Sequence, residues 1–384
     1  MMHDDARKLH AHLLQCGAGK RSFAAALAVF RQGSLIDRWV IGRTAEAARS
    51  APIGDDTRFL VASLSKPVSA ATAMRLVDEK VVKLSTPLCK VLPEFKSGGK
   101  SEIELRHLLN HTSGLPDMVA DNILLRERHA DLEAYYASLC KAPLCFRPGS
   151  DVGYQSMGFL VLARLVERLT NQKFADFAER ELFGPIGMPN SNFGLPDDLS
   201  VHDTVAVDLP AGQVGTNWHW NSEYWRRLGA PWGGLLSTAT DLAAFAHLFV
   251  NDGCSQSGRR VLSSAVCDMM RRNSLARIAP HCPPLGLGWF IRGKPSASNP
   301  DAFGPGGAGS DTTGVVTPAD IVFDRAFFGS SFSADAIGHA GVTGCAMWAD
   351  PATGIASAIL TNAPTALGDG TISRMGDLIG RLNL

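Results

Sequence analysis

Residues 58–79 constrain this chain more than any other stretch. Phe59 to Ala62 reads as a short buried strand, and Val68 to Val77, rich in alanine with apolar residues at helical spacing, reads as a buried helix. Ser63 sits at the join. A serine there can expose its hydroxyl at a helix N-terminus, where unpaired N–H groups and the positive end of the macrodipole favour a developing oxyanion. Lys66, three residues on, falls on the same helical face and puts an amine within reach of that hydroxyl, which is weakly nucleophilic unaided.

Ser-x-x-Lys also occurs at Ser97–Lys100 and Ser138–Lys141. Ser97 lies in a polar Ser-Gly-Gly-Lys loop, and Ser138 closes an amphipathic helix before Ala142-Pro143. Only Ser63 lies at a strand-to-helix corner. Pro67 disfavours helical geometry at Lys66, so local pattern starts the helix after the proline. The corner breaks that rule, and broken local rules concentrate at functional sites.

Lys+Arg and Asp+Glu both number 37 in 384 residues, for a formal net charge of zero. That balance leaves no electrostatic footprint for nucleic acid or an anionic membrane, and favours a small neutral or locally charged ligand. No apolar run approaches the roughly 20 residues of a membrane span. Phe23 to Phe30, after Lys20-Arg21, follows a charged helix-like segment (Asp4 to Cys16) and leads into Arg31-Gln32-Gly33, so it reads as a strand and turn, not the core of an export signal. The eight cysteines (16, 89, 140, 145, 254, 267, 282, 345) are scattered without Cys-x-x-Cys pairs, and read as buried free thiols in a reducing compartment. A cytoplasmic location is the expectation.

After the N-terminal helix, Ala24–Phe30 and Ser34–Ile41 bracket a glycine-containing turn and read as a β-hairpin. The middle of the chain turns helical: Leu105–Asn110, Asp131–Leu139, Met157–Leu169, Phe174–Leu182, Ala239–Val250 behind Ser237-Thr238, and Ser263–Arg272. Strands return at Ala346–Ala349 and Ile355–Leu360 around Asp-Pro-Ala-Thr-Gly, and a helix at Ile372–Leu382 ends the chain. The pattern predicts an α+β fold: one antiparallel sheet built from both termini, flanked by helices, with an inserted mainly helical region. We expect one catalytic unit over residues 1–384, an α/β part at about 1–80 and 285–384, a mainly helical part at about 81–284, and a site at their junction.

Further candidates are scattered. Tyr154 lies in the loop Pro148 to Ser156 just before a helix, and His339 in Gly-His-Ala-Gly-Val-Thr-Gly before a strand, where glycines would let a ligand lie against the backbone. Trp218, Trp220, Trp225 and Trp232, four of seven tryptophans, are mixed with polar groups, as in a pocket wall that binds an apolar or aromatic acyl group. Arg292 to Ala336, rich in Gly, Ser, Asp and Pro, reads as a lid or site rim. His107-Leu-Leu-Asn-His111 lacks a zincin glutamate and reads as a helix end and loop. Gly304 to Ser310 lacks the Gly-Lys-Ser/Thr of a P-loop, and no Gly-x-Ser-x-Gly elbow occurs, which argues against an α/β-hydrolase.

Taken in order, Ser-Leu-Ser-Lys after a strand, Leu-Leu-Asn-His-Thr-Ser-Gly-Leu-Pro at 108–116, Pro-Gly-Ser followed by Tyr-Gln-Ser, Gly-Gly-Leu-Leu-Ser-Thr-Ala-Thr-Asp-Leu at 233–242 and His-Ala-Gly at 339–341 resemble the class C β-lactamase-like serine hydrolases, over roughly residues 20 to 365. The family includes β-lactamases, DD-peptidases, D-aminopeptidases and short-chain esterases. The resemblance implies a β-lactamase/transpeptidase-like fold and an acyl-enzyme on Ser63, with Lys66 and Tyr154 moving the proton and the backbone N–H groups of Ser63 and Val342 holding the oxyanion. It implies that Ser156 and Gly341 line the substrate site, and that no metal or organic cofactor is needed. Two positions depart from β-lactamases: Ser156 where they usually carry asparagine, and His339 where they usually carry lysine. A neutral imidazole holds a carboxylate poorly. The expectation is therefore a cytoplasmic esterase on small uncharged esters, with an amide-directed enzyme (a D-aminopeptidase or weak β-lactamase), an acyltransferase, or an idle binding protein of the same fold as alternatives.

Overall fold

The computed structural model describes residues 2–17, 23–45, 50–294 and 325–383. In chain order the strands are β1 Ala25–Arg31, β2 Ser34–Ile41, β3 Phe59–Leu60, β4 Asn192–Phe193, β5 Leu235–Ser237, β6 Phe290–Ile291, β7 Ile337–Gly341, β8 Cys345–Asp350 and β9 Ile355–Thr361. The helices used below are α1 Met2–Gly17, α2 Ser65–Asp78, α3 Leu105–Leu109, α4 Asn122–Glu127, α5 Leu132–Lys141 and α6 Met157–Thr170. Ala239–Leu248, Ser264–Arg271 and Thr371–Gly380 are helical further on.

Six strands form one antiparallel sheet in the order β2-β1-β9-β8-β7-β6, so both ends of the chain meet in it, as expected. β1 is an unbroken apolar run because both of its faces are covered. Ala26, Ala28 and Phe30 join the core that holds Leu242 and Phe245 of helix Ala239–Leu248. Ala25, Leu27 and Val29 point the other way, into a second core with Leu9 and Leu13 of α1 and Ile372, Met375 and Ile379 of the last helix. The β1–β2 turn puts Gln32 at φ 47° and Gly33 at φ 82°, the left-handed pair that a two-residue hairpin loop needs.

Four local expectations need correction. The strand predicted over 59–62 stops at Leu60, because Ala62 takes φ 47° and turns the chain through the 3₁₀ segment Ala62–Leu64 into α2. That helix begins at Ser65 instead of Val68: Pro67 falls in its first turn, where a missing N–H breaks no hydrogen bond. His339 lies inside a strand, β7, and not ahead of one. The cysteines are unpaired, but only Cys267 and Cys345 are buried, and Cys145 is exposed. The mainly helical region also lends β4 and β5 to a small sheet, order β3-β5-β4, in strands too short to show period-two alternation. The core of the Arg292–Ala336 stretch, 295–324, with Gly304 to Ser310, lies outside the described residues, as does Lys20-Arg21.

Candidate active site

The site grows from the corner between β3 and α2. From Phe59 to Met74 every residue is buried except Ser63, which keeps partial exposure. Its position is over-determined: Val61 N–H bonds Leu235 O at 3.1 Å, and Thr343 Oγ1 donates to Leu60 O at 2.8 Å. A Cβ at Gly341 would stand 2.3 Å from the Val61 carbonyl oxygen, so glycine is what lets β7 lie directly on this turn. Such bracing can hold Ala62 in the left-handed region, a strain of order 1 kcal/mol for a non-glycine residue. Gly341, directly before Val342, packs on Val61 and Ala62, so the end of β7 faces the Ser63 corner.

Lys66 follows from the helix that Pro67 failed to delay. Its Nζ donates to Ser63 Oγ at 3.1 Å and to the Trp232 carbonyl at 3.0 Å, and stands 4.6 Å from the centroid of the Tyr154 ring. The amine is buried; desolvation lowers its pKa from 10.5 to about 8, against an opposing pull from Asp117. That displacement disfavours the ammonium by roughly 3 kcal/mol. A buried amine titrating near neutrality can act as a base.

Tyr154 is half-buried, and its hydroxyl hydrogen-bonds Ser63. Desolvation of that hydroxyl, imposed by its packed surroundings although part of the side chain stays open, pushes its pKa up, opposed by the Ser63 hydrogen bond. Ser63 is therefore shared between an amine near its titration point and a phenol that keeps its proton. Among the described residues that hydrogen-bond this serine, Lys66 is the base candidate.

His339 stacks on Phe290 at 4.4 Å between centroids. Its Nδ1 lies 2.8 Å from the Ala340 carbonyl, which can only accept, so Nδ1 carries the proton. Nε2 is then an acceptor, buried and without a hydrogen-bond partner among the described residues. Desolvation, Lys66 and Arg325 lower the imidazole pKa to about 3, against the opposing Ala340 hydrogen bond, so the ring stays neutral at ordinary pH.

The histidine-containing loop read as a helix end does end α3, and it does more. His111, at φ 61°, stacks on the Tyr154 ring at 4.7 Å and accepts the Gln155 N–H through Nδ1 at 3.1 Å. Gln155 donates to the carbonyls of His107 and Leu108 at 3.1 and 3.3 Å and accepts from Ser113 Oγ. Asp117 Oδ1 accepts the Ser156 N–H at 2.7 Å. His111, Gln155 and Asp117 were missed by motif reasoning, although the first two sit within quoted motifs and the third directly follows Pro116. Their signal was a position beside a chemically legible residue, not a chemistry of their own.

The tryptophans divide. Trp232 meets the site through its carbonyl, while its ring packs near Tyr135 at 5.9 Å. Trp218 and Trp225 flank the Arg126 guanidinium at 5.2 and 4.6 Å, and Trp220 packs with Trp225 beside Leu60, Leu195, Val207 and Leu236. Ser156 is buried and lends its N–H to Asp117. Among the described residues no group of three or more His, Cys, Asp or Glu is placed to hold a metal ion, and no helix is long and apolar enough to cross a membrane.

The β-lactamase sequence profile matches residues 9–378. The chain belongs to the β-lactamase family. It is thereby a serine hydrolase with a β-lactamase/transpeptidase-like α+β fold, as its motif order implied. Its β-lactamase-family relatives include penicillin-binding protein 4 of Amycolatopsis lactamdurans, 31% identical over 65% of this chain and 65% of that protein. Esterase EstB of Burkholderia gladioli is 27% identical over 93% of this chain and 90% of its own. A crystal structure of a penicillin-binding protein homologue from Caulobacter crescentus shares the fold, with TM-score 0.75 and 21% identity over 99% of this chain and 98% of that one.

Proposed function

We propose that this serine hydrolase is an esterase that acts on small uncharged esters through an acyl-enzyme on Ser63. Neutral Lys66 takes the Ser63 proton as Oγ bonds the ester carbonyl carbon. The N–H groups of Ser63 and Val342 receive the oxyanion. Tyr154 relays the proton to the leaving alkoxide as the carbon–oxygen bond breaks. Water then attacks the acyl-enzyme, releases the acid and returns the proton to Ser63. The residues act as a self-contained set in one cytoplasmic unit spanning 1–384, with the α/β part at 1–80 and 285–384; eight unpaired cysteines support the reducing compartment.

One observation carries the preference for uncharged substrates: β7 presents the neutral, proton-poor imidazole of His339 where a β-lactamase would hold a carboxylate with lysine. The near full-length likeness to an esterase supports the same reading. The penicillin-binding relative favours a second reading, an amide-directed hydrolase or an acyltransferase. Steady-state kinetics separate them. p-Nitrophenyl acetate or butyrate should turn over well and penicillins poorly, and His339→Lys should move the balance toward the anionic substrate. Faster turnover of a penicillin than of every short ester, in the unmutated protein, sinks the esterase reading.

A further inference from the structure

The Tyr154 turn and the Lys66 amine share a neighbour that neither motif contains. Asp117 Oδ1 accepts the Ser156 N–H at 2.7 Å, and its backbone carbonyl accepts the Met157 N–H at 3.1 Å. Those are the first donors of α6, and the Ser156 side chain makes no capping bond of its own. One residue therefore satisfies two of the N–H groups that a helix start leaves open, directly after the catalytic tyrosine. The same carboxylate acts on the proton carriers: it favours the ammonium of Lys66 and disfavours the phenolate of Tyr154.

We propose that Asp117 is a positioning residue for the reaction, pinning the Tyr154–Ser156 turn through its two hydrogen bonds and acting from there on the Ser63, Lys66 and Tyr154 set. The groups facing Lys66 are the Ser63 hydroxyl, the Trp232 carbonyl, the Tyr154 and Phe159 rings, and the imidazoles of His111 and His339. Both imidazoles are held neutral by burial and by the lysine itself. Asp117 is the one carboxylate among the described residues that acts on the amine. Without it, burial alone would drive Lys66 to lose its proton at lower pH. The two effects oppose one another in activity. The hydrogen bond raises it, by geometry, and the charge lowers the fraction of neutral base near pH 7.

The inference rests on the proposed roles of Lys66 and Tyr154, and two variants separate its halves. Asp117→Asn keeps an oxygen acceptor for Ser156 and removes the charge; Asp117→Ala removes both. In profiles of kcat/KM against pH with p-nitrophenyl acetate, the acid limb of Asp117→Asn should move to lower pH, with Tm close to the parent's. Asp117→Ala should show the same movement and a plateau lowered on the order of tenfold, from a loosened turn. The pH dependence of Ser63 labelling by a phosphonate should shift with the limb, a readout that needs no turnover. A purely structural cap would lower Tm in Asp117→Ala and leave both limbs and both labelling profiles in place, which overturns the proposal. Lys66→Ala keeps the outcomes distinguishable: if it retains parental activity, the reading of Lys66 as the base fails, whereas an unmoved limb in Asp117→Asn beside an inactive Lys66→Ala removes only the role of Asp117.

Discussion

Ser63–Lys66 and Ser138–Lys141 share a spacing and a helical setting, yet only the first pair has the surroundings that the proposed chemistry needs. On α5, Ser138 Oγ donates to Asp121 Oδ1 at 2.5 Å, and Lys141 is exposed. The hydroxyl's proton is tied to a carboxylate and the lysine lies exposed at the helix end. At the α2 corner the serine meets an amine and a phenol, and the amine is buried to the point of titrating near 8. Burial of the lysine and the company of the serine, not the interval between them, make a nucleophile. Ser97 falls on the inert side, exposed in its loop.

The contrast is tested most severely by removing the serines. Ser63→Ala should lower turnover of a short activated ester by on the order of 10⁴-fold or more, while Ser138→Ala and Ser97→Ala stay near the parent. A serine-directed phosphonate, followed by peptide mapping, should mark Ser63 alone. A label on Ser138 would erase the distinction.

Next in size is the proton relay. Tyr154→Phe and Lys66→Ala should each cost on the order of 100-fold in turnover with folding preserved, and the double variant far less than the product. Multiplicative losses would show that they do not act as a unit.

A smaller effect sharpens the difference between the lysines. Because the base must be uncharged and Lys66 titrates at about 8, kcat/KM should climb roughly tenfold per pH unit below that point and level off above it. The profile of Lys141→Ala should superimpose on the parent's. A flat parental profile from pH 6 to 9 would remove Lys66 as the base.

The smallest effect is on stability. The folded pKa of Lys66 lies below its ordinary 10.5, so between about 8 and 10.5 the unfolded chain binds the proton more readily. This group's destabilisation is complete below pH 8 and fades as pH rises toward 10.5. Lys66→Met should thus be more stable than the parent at pH 7, by at most roughly 3 kcal/mol, with the gap narrowing at pH 9.5. Urea melts at both values decide it; an equal gap would mean that the fold does not desolvate the amine.

Elements whose physics is local were legible before any coordinates. β1, β9 and α6 are long, apolar and bounded by turn residues, and they lie within a residue or two of their expected bounds. The Ser63 corner was legible as a place and wrong as a shape, since the left-handed Ala62 depends on β5 and β7 pressing on it from distant sequence. β4 and β5 were invisible because strands of two and three residues carry no periodicity. Ser63, Lys66, Tyr154 and His339 could be named from reactive side chains in ordered motifs. His111, Gln155 and Asp117 could not, because they act by stacking and hydrogen bonding on those side chains.

The pairing of β1 with β9, Ala25 against Thr361, bears on how the protein is made. A ribosome delivers Ser63 and Lys66 well before β7, which presses on their corner, and β9, which pairs with β1. Until then the corner has no wall and β1 an open edge, exposed to mispairing and to chaperones. Ser63 should therefore stay without its full surroundings until β7 and β9 have emerged, and a chain that stops before them should carry the serine without the means to activate it.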